Sequence, residues 1–287
     1  MPTFADRLAR ACETSGGLLC VGLDPDPARL PDDLRRQSES LLAFNRRIIE
    51  ATAGIAAAYK PQIAFYSAAA AELQLEASIA FIRERAPHAL VILDAKRNDI
   101  GNTAEAYARE AFDRYGADAV TVNPYMGEDA VRPFLAREDR GAVLLCRTSN
   151  PGARDFQDLL LEAPGSEAGG KLPLYRHVAR RAERWNERRN VMLVVGATYP
   201  AEMQDLRRAH PTLPFLVPGI GAQGGDLEAT LEAGLDARGS GLLISASRSI
   251  IYADGGRSEA IRKAAADLHD AIGAHRSSRR GAPTRTT

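Results

Sequence analysis

Eight short apolar runs recur along this 287-residue chain, and each is followed by a stretch of helical periodicity. The runs lie at 18–24, 56–59, 91–94, 119–123, 142–146, 191–196, 215–218 and 241–245. They are apolar throughout rather than alternating, the pattern of strands covered by helices in a parallel sheet. Eight strand–helix units are the count that closes a (β/α)8 barrel, a fold of about 250 residues around one core. The 45% hydrophobic share is enough to fill such a core. A single α/β domain, a (β/α)8 barrel over residues 1–275, is therefore expected.

The connecting helices are expected at 4–15, 32–53, 68–85, 103–115, 127–136, 174–190, 200–210, 226–233 and 258–272. Residues 147–173 form the longest irregular stretch, and a loop of that length inside a compact domain is usually functional or mobile. Residues 276–287 set Arg276, Arg279, Arg280 and Arg285 among Ser, Gly, Pro and Thr. That composition cannot build a core, so a disordered basic tail is expected there.

Lys plus Arg and Asp plus Glu both total 37. With no overall field, nucleic acid and anionic membrane surfaces are excluded as charge-steered partners, and any anion has to be bound locally. Cys12, Cys20 and Cys146 are odd in number and lack metal-ligand spacing, so they read as reduced thiols, two of them in core strands. Charges stand in the first seven residues where a signal peptide needs an apolar segment, and nowhere do about twenty apolar residues run together. A soluble, cytoplasmic protein is expected.

In a barrel of this kind the strand ends share one mouth, where the chemistry is placed. The polar residues at that position are Asp24, Lys60, Asp94 with Lys96, Asn123, Thr148 with Ser149, Gln223 and Arg248. Side chains alternate along a strand, so Asp94 and Lys96 point the same way. Opposite charges at the exit of a buried strand are costly unless paired or used. Pro218 leads into a glycine-rich turn containing Gly221 and Gly224, after the seventh strand, and Arg248 follows the eighth. Barrels often bind phosphate with those two loops, through glycine N–H groups and an arginine fork. The five histidines fall in helical or turn patterns and read as surface residues. Tyr59 and Tyr66 read as packing. With no strand-end histidine, no cysteine nucleophile and no metal site, carboxylates and lysines are left to do the chemistry.

The stretch Leu93-Asp94-Ala95-Lys96-Arg97-Asn98-Asp99-Ile100-Gly101-Asn102-Thr103 resembles the Asp-x-Lys-x-x-Asp-Ile-(Gly or Pro)-x-Thr signature of the orotidine 5'-phosphate decarboxylases, and matches it at every defining position. Agreement extends to the segments at 21–24, 149–152, 218–225 and 247–250 and to Lys60, and the long loop resembles the longer bacterial subfamily. Ser247 departs from the glycine that often precedes the arginine. The resemblance implies a TIM barrel that converts orotidine 5'-monophosphate to UMP and CO2, the last step of de novo pyrimidine nucleotide biosynthesis, with no cofactor or metal. It implies that Asp94 lies beside the leaving carboxylate and that Lys96 delivers the proton to C6. Lys60 and Asp24 would hold ribose hydroxyls, Ser149 would read the pyrimidine edge, and Gln223 and Arg248 would grip the phosphate. Asp99, Ile100 and Thr103 would come from the neighbouring subunit, which makes the implied enzyme a homodimer with shared sites. Lysines alternating with carboxylates across Lys60, Asp94, Lys96 and Asp99 should keep every member charged.

The closest rival is a Mg²⁺-dependent sugar-phosphate decarboxylase of the same barrel superfamily, with a similar Asp-x-Lys-x-x-Asp core. Those enzymes need an acidic metal ligand at the second strand end, where this chain places Lys60. A barrel kept only for nucleotide binding or as a scaffold would have no need of the charged array.

Overall fold

Burial on both faces turns the eight runs into strands that pair side by side. In the computed structural model, which describes residues 2–162, 170–221 and 224–280, they are β1 (Leu19–Leu23), β2 (Ala58–Pro61), β3 (Leu90–Arg97), β4 (Ala119–Val122), β5 (Gly141–Arg147), β8 (Val191–Val195), β9 (Phe215–Pro218) and β10 (Leu242–Ala246), where β6 (Leu160–Glu162) and β7 (Lys171–Pro173) interrupt the series. The eight pair in parallel around a ring in which β10 returns to β1 through Leu19 and Ile244, closing the expected (β/α)8 barrel. Strand side chains on both faces are fully buried, Ile92 toward the barrel axis and Tyr59 outward, where its hydroxyl lies 2.9 Å from that of Thr52 on the helix Ser40–Thr52.

One end of the barrel is built for stability. Thr3 and Asp6 cap the helix Phe4–Thr14 reciprocally, the Thr3 hydroxyl accepting from Asp6 N–H and the Asp6 carboxylate from Thr3 N–H. The buried Phe4 ring then occupies the space beside Gly141, the first residue of β5. A Cβ at Gly141 would stand 2.6 Å from the ring, so only glycine admits it. Nearby, the fully buried Asp118 carboxylate is paired by Arg7 and Arg83 and accepts Val91 N–H at 2.7 Å.

Several local expectations change. Residues 32–53 form two helices, Asp32–Arg35 and Ser40–Thr52, because the polar run between them offers no apolar face to bury. The third helix begins early, at Ile63, where Gln62 caps it, and breaks at Ala70, which adopts φ +49° before Glu72–Arg85 continues. Tyr66 does more than pack: its hydroxyl accepts from Asn45 and donates to Leu23 O. The stretch at 147–173 is less irregular than its composition implied. It holds a short helix, Arg154–Gln157, and an antiparallel ribbon of β6 and β7, whose three-residue strands are too short to leave a periodic signal; residues 163–169 lie outside the described residues. The last helix runs from Ser258 to Arg280 rather than stopping at 272, so residues 276–280 are helical, with Arg276 Nε donating to Gly239 O at 2.7 Å. Of the expected tail, 281–287 lie outside the described residues. His210 is buried rather than superficial, its ring folded onto Glu183 at 2.9 Å. All three cysteines are buried and free. Burial pushes each thiol up to about 12, so they remain protonated. Among the described residues no helix is long and apolar enough to cross a membrane.

Candidate active site

The strand β3 stays in register with β4 as far as Leu93 and then slips. Thr121 fills the irregularity. Its hydroxyl accepts the N–H groups of Ala95 and Lys96, each at 2.9 Å, and donates to Asp94 Oδ1 at 2.9 Å, using its one hydrogen and both lone pairs. Lys96 takes φ +47°, a left-handed conformation that costs a non-glycine residue about 1–3 kcal/mol and persists where the surroundings enforce it. Its ammonium reaches Asp94 Oδ1 at 2.6 Å.

The other Asp94 oxygen accepts from Lys60 Nζ, at the end of β2, at 2.9 Å. Asp24, just past β1, places Oδ1 3.9 Å from the same ammonium. Burial by itself would raise the Asp94 carboxyl, but the two lysine charges and their hydrogen bonds outweigh it and hold the group well below the carboxylate range. Burial would likewise lower Lys60, and there the carboxylates of Asp24 and Asp94 win, raising it above an ordinary lysine. Both groups are therefore charged at neutral pH despite being more than nine-tenths buried. Lys96 is different, since 49% of its side chain is exposed and it stands at the edge of the cluster facing the open cleft. Asp24 Oδ1 is buried and receives no hydrogen bond, which leaves an acceptor free for a donor on a ligand.

These charges form one wall of a cleft of about 600 Å³. Ser149, Pro218 and Arg248 line it as well, so strand ends far apart in sequence converge as expected. The turn after β9 places Gly221 and Gly224 at φ +78°, which suits glycine, and brings the Gly221 backbone against Ser249. Gln223 lies outside the described residues. Arg248 begins the short helix after β10 and is exposed at the cleft rim.

Asp99, Ile100, Thr103 and Asn123 lie outside this cleft. Asp99 turns its Oδ1 back to accept Ile100 N–H at 2.8 Å, and Ile100 and Thr103 point outward. None of the three lines the cleft of its own chain, so a single chain assembles three of the four alternating charges. Asn123 is displaced for a simpler reason: its side chain accepts Tyr125 N–H and caps the turn Pro124–Met126, outside the cleft. Thr121 was missed, although the only polar residue in an otherwise apolar strand was a usable signal. Gln157 was missed too; it lines the cleft and grips Thr148, accepting its N–H at 2.9 Å and donating to its hydroxyl at 2.8 Å. Among the described residues there is no cluster of three or more His, Cys, Asp or Glu side chains able to hold a metal.

A negative carboxylate flanked by two ammonium groups on the wall of a cleft of about 600 Å³ is suited to a reaction in which negative charge builds beside one ammonium. Comparison with known proteins bears on which reaction that is. Residues 17–264 match the model of the orotidine 5'-phosphate decarboxylase / HUMPS family. An orotidine 5'-phosphate decarboxylase of Bordetella avium is 53% identical over 277 residues, covering 95% of this chain and 99% of the relative. Among solved structures, the OMP decarboxylase of Leishmania donovani is 41% identical with a TM-score of 0.81, covering 96% of this chain and 99% of that one. The UMP synthase of the same organism is 42% identical with a TM-score of 0.83, and the match spans 96% of this chain but 57% of that longer protein.

Proposed function

Because this chain belongs to the orotidine 5'-phosphate decarboxylase / HUMPS family and decarboxylates orotidine 5'-monophosphate to UMP and CO2 in pyrimidine nucleotide biosynthesis, we propose that its own side chains perform the step, with no metal or cofactor. The observation that carries this is the Asp94 carboxylate held between Lys60 and Lys96 at 2.9 and 2.6 Å. Asp94 lies beside the substrate carboxylate and, fixed by Lys60 and Thr121, cannot swing away. The C6–carboxylate bond breaks, CO2 departs, and the electron pair stays on C6. The Lys96 ammonium stabilises that charge and gives C6 its proton, then recovers one from solvent. Since the ion pairs exist before substrate arrives, little reorganisation is needed at the moment of bond breaking.

Asp24 and Lys60 hold the ribose hydroxyls, Ser149 meets the pyrimidine edge, and Pro218, Gly221, Gln223, Gly224 and Arg248 enclose the phosphate. Binding energy gathered at that remote phosphate is available to the transition state. Asp99, Ile100 and Thr103 serve the site of a partner chain in a homodimer. Support for this is their position on the rim, with Ile100, a large apolar side chain, 55% exposed. A cytoplasmic setting suits the three free, protonated thiols.

The direct test follows the loss of orotidine monophosphate absorbance with EDTA present. Full turnover is expected, and strict dependence on added Mg²⁺ would sink the metal-free reading. Mixing Asp94→Asn and Asp99→Asn subunits should restore one native site per mixed dimer; no recovered activity would count against sharing.

A further inference from the structure

One buried cation has no role in that chemistry. Arg147 ends β5, two residues before Ser149, and at 1% exposure it is the largest fully buried side chain among the described residues. Its Nη1 lies 3.0 Å from Asp158 Oδ1 and its Nη2 3.5 Å from Glu202 Oε1. The guanidinium carbon stands 3.9 Å from the ring centre of Tyr199 and 5.5 Å from that of Tyr175. A guanidinium is costly to bury even when paired, and an apolar side chain would often serve stability as well.

The geometry around it accounts for its presence. The carbonyl of Arg147 accepts Gly196 N–H at 2.7 Å, beyond a slip in the β5–β8 ladder between Leu145 and Arg147. A Cβ on Gly196 would stand 2.8 Å from Ser149 Cβ and 2.9 Å from its backbone nitrogen, so Ser149 rests directly on the end of β8. From the other side Gln157 grips Thr148 through both of its amide atoms. Asp158, the next residue, is the one that pairs with Arg147. The guanidinium thus ties the end of the helix Arg154–Gln157 to the strand below it and keeps Gln157 over the turn.

We propose that Arg147 is a positioning residue for the decarboxylation: held by Asp158 and Glu202, it fixes the turn at 148–149 so that Ser149 meets the pyrimidine edge in one geometry. This rests on the role given above to Ser149, but the turn can also be tested without it. In Arg147→Met, kcat/KM should fall by about 100-fold, the scale expected when a positioning group shifts by about an ångström. UMP binding should weaken in parallel, whereas ribose 5-phosphate, which lacks the base, should bind within about twofold of the parent, because its contacts lie elsewhere. In a Ser149→Ala background the same substitution should cost little more, since the group it positions is gone.

Amide hydrogen exchange at Thr148 in the unliganded protein should speed up relative to the strand β5 that precedes it, whether or not the protein turns over orotidine monophosphate. If Arg147→Met does not fold, Asp158→Asn is read in the same way. Equal weakening of UMP and ribose 5-phosphate, additive losses with Ser149→Ala, or unchanged exchange at Thr148 would each overturn the proposal. Failure of the parent protein to decarboxylate orotidine monophosphate would instead strike at the assigned reaction and leave the exchange result to stand alone.

Discussion

Replacing Asp94 by asparagine keeps the shape of the side chain and deletes its charge. Lys60 then remains buried with Asp24, 3.9 Å away, as its nearest carboxylate. Two unit charges 2.9 Å apart attract by about 6 kcal/mol at an effective dielectric constant of about 20. The cost of desolvating both ions cancels part of that, and removing one member of a buried pair typically costs about 3–5 kcal/mol. The Lys96 pair adds little, because that lysine is half exposed and screened by solvent. Asparagine still offers an oxygen to Thr121, so the lower end, about 3 kcal/mol, is expected. At about 2–4 °C per kcal/mol for a domain of this size, the melting temperature should drop by about 6–12 °C. Adding Lys60→Met removes the stranded cation, so the double variant should be more stable than Asp94→Asn alone, although neither decarboxylates. Urea unfolding of the four proteins in this cycle at pH 7 measures the coupling. A loss under about 1 kcal/mol in Asp94→Asn, or simple additivity of the two changes, would refute the view that these charges hold each other in place.

The pH dependence of stability follows from the same pair. The Asp94 carboxyl is held below its ordinary 3.8, so its stabilisation is present above that pH and is lost as pH falls through the lower folded value. Lys60 is raised above 10.5, so its contribution is present below that pH and is lost as pH rises through the higher folded value. The acid loss of stability should accordingly be steeper in the parent than in Asp94→Asn when urea midpoints are compared below about pH 4; parallel slopes would disprove the linkage. Lys96→Ala should lower decarboxylation by about 10,000-fold or more while UMP still binds by calorimetry, and near-normal turnover would remove Lys96 as proton donor. Arg248→Ala should raise KM by about 10–100-fold, the worth of a charge-assisted hydrogen bond, with partial rescue by added guanidinium. Unchanged kinetics would take Arg248 out of the phosphate site.

How much of this was legible depended on whether a residue's role follows from its neighbours in sequence. The barrel strands were visible because they are apolar on both faces, and Asp24, Lys60, Asp94, Lys96, Ser149, Pro218 and Arg248 could be grouped because each follows such a strand. Thr121 was harder, since its three hydrogen bonds depend on a register slip between β3 and β4 that no local pattern announces. Arg147 was harder still: an arginine at a strand end reads as solvated, and only the packing of Tyr175, Tyr199, Asp158 and Glu202 buries it. Asn123 went the other way, because a polar residue before a proline serves a turn as readily as a ligand. The break at Ala70 had no signal at all in a run of alanines that favours helix.

The pairing of Leu19 with Ile244 joins residues from opposite ends of the polypeptide. On the ribosome, the first strand must wait for the last to be synthesised, with its hydrogen-bonding edge open in the meantime. Contacts so distant in sequence slow the search for the native state, and unpaired edges invite association with other chains. A nascent or truncated form lacking the final strand is thus the species most in need of a chaperone, and expression yield should respond to chaperone supply more sharply than the stability of the finished ring would indicate.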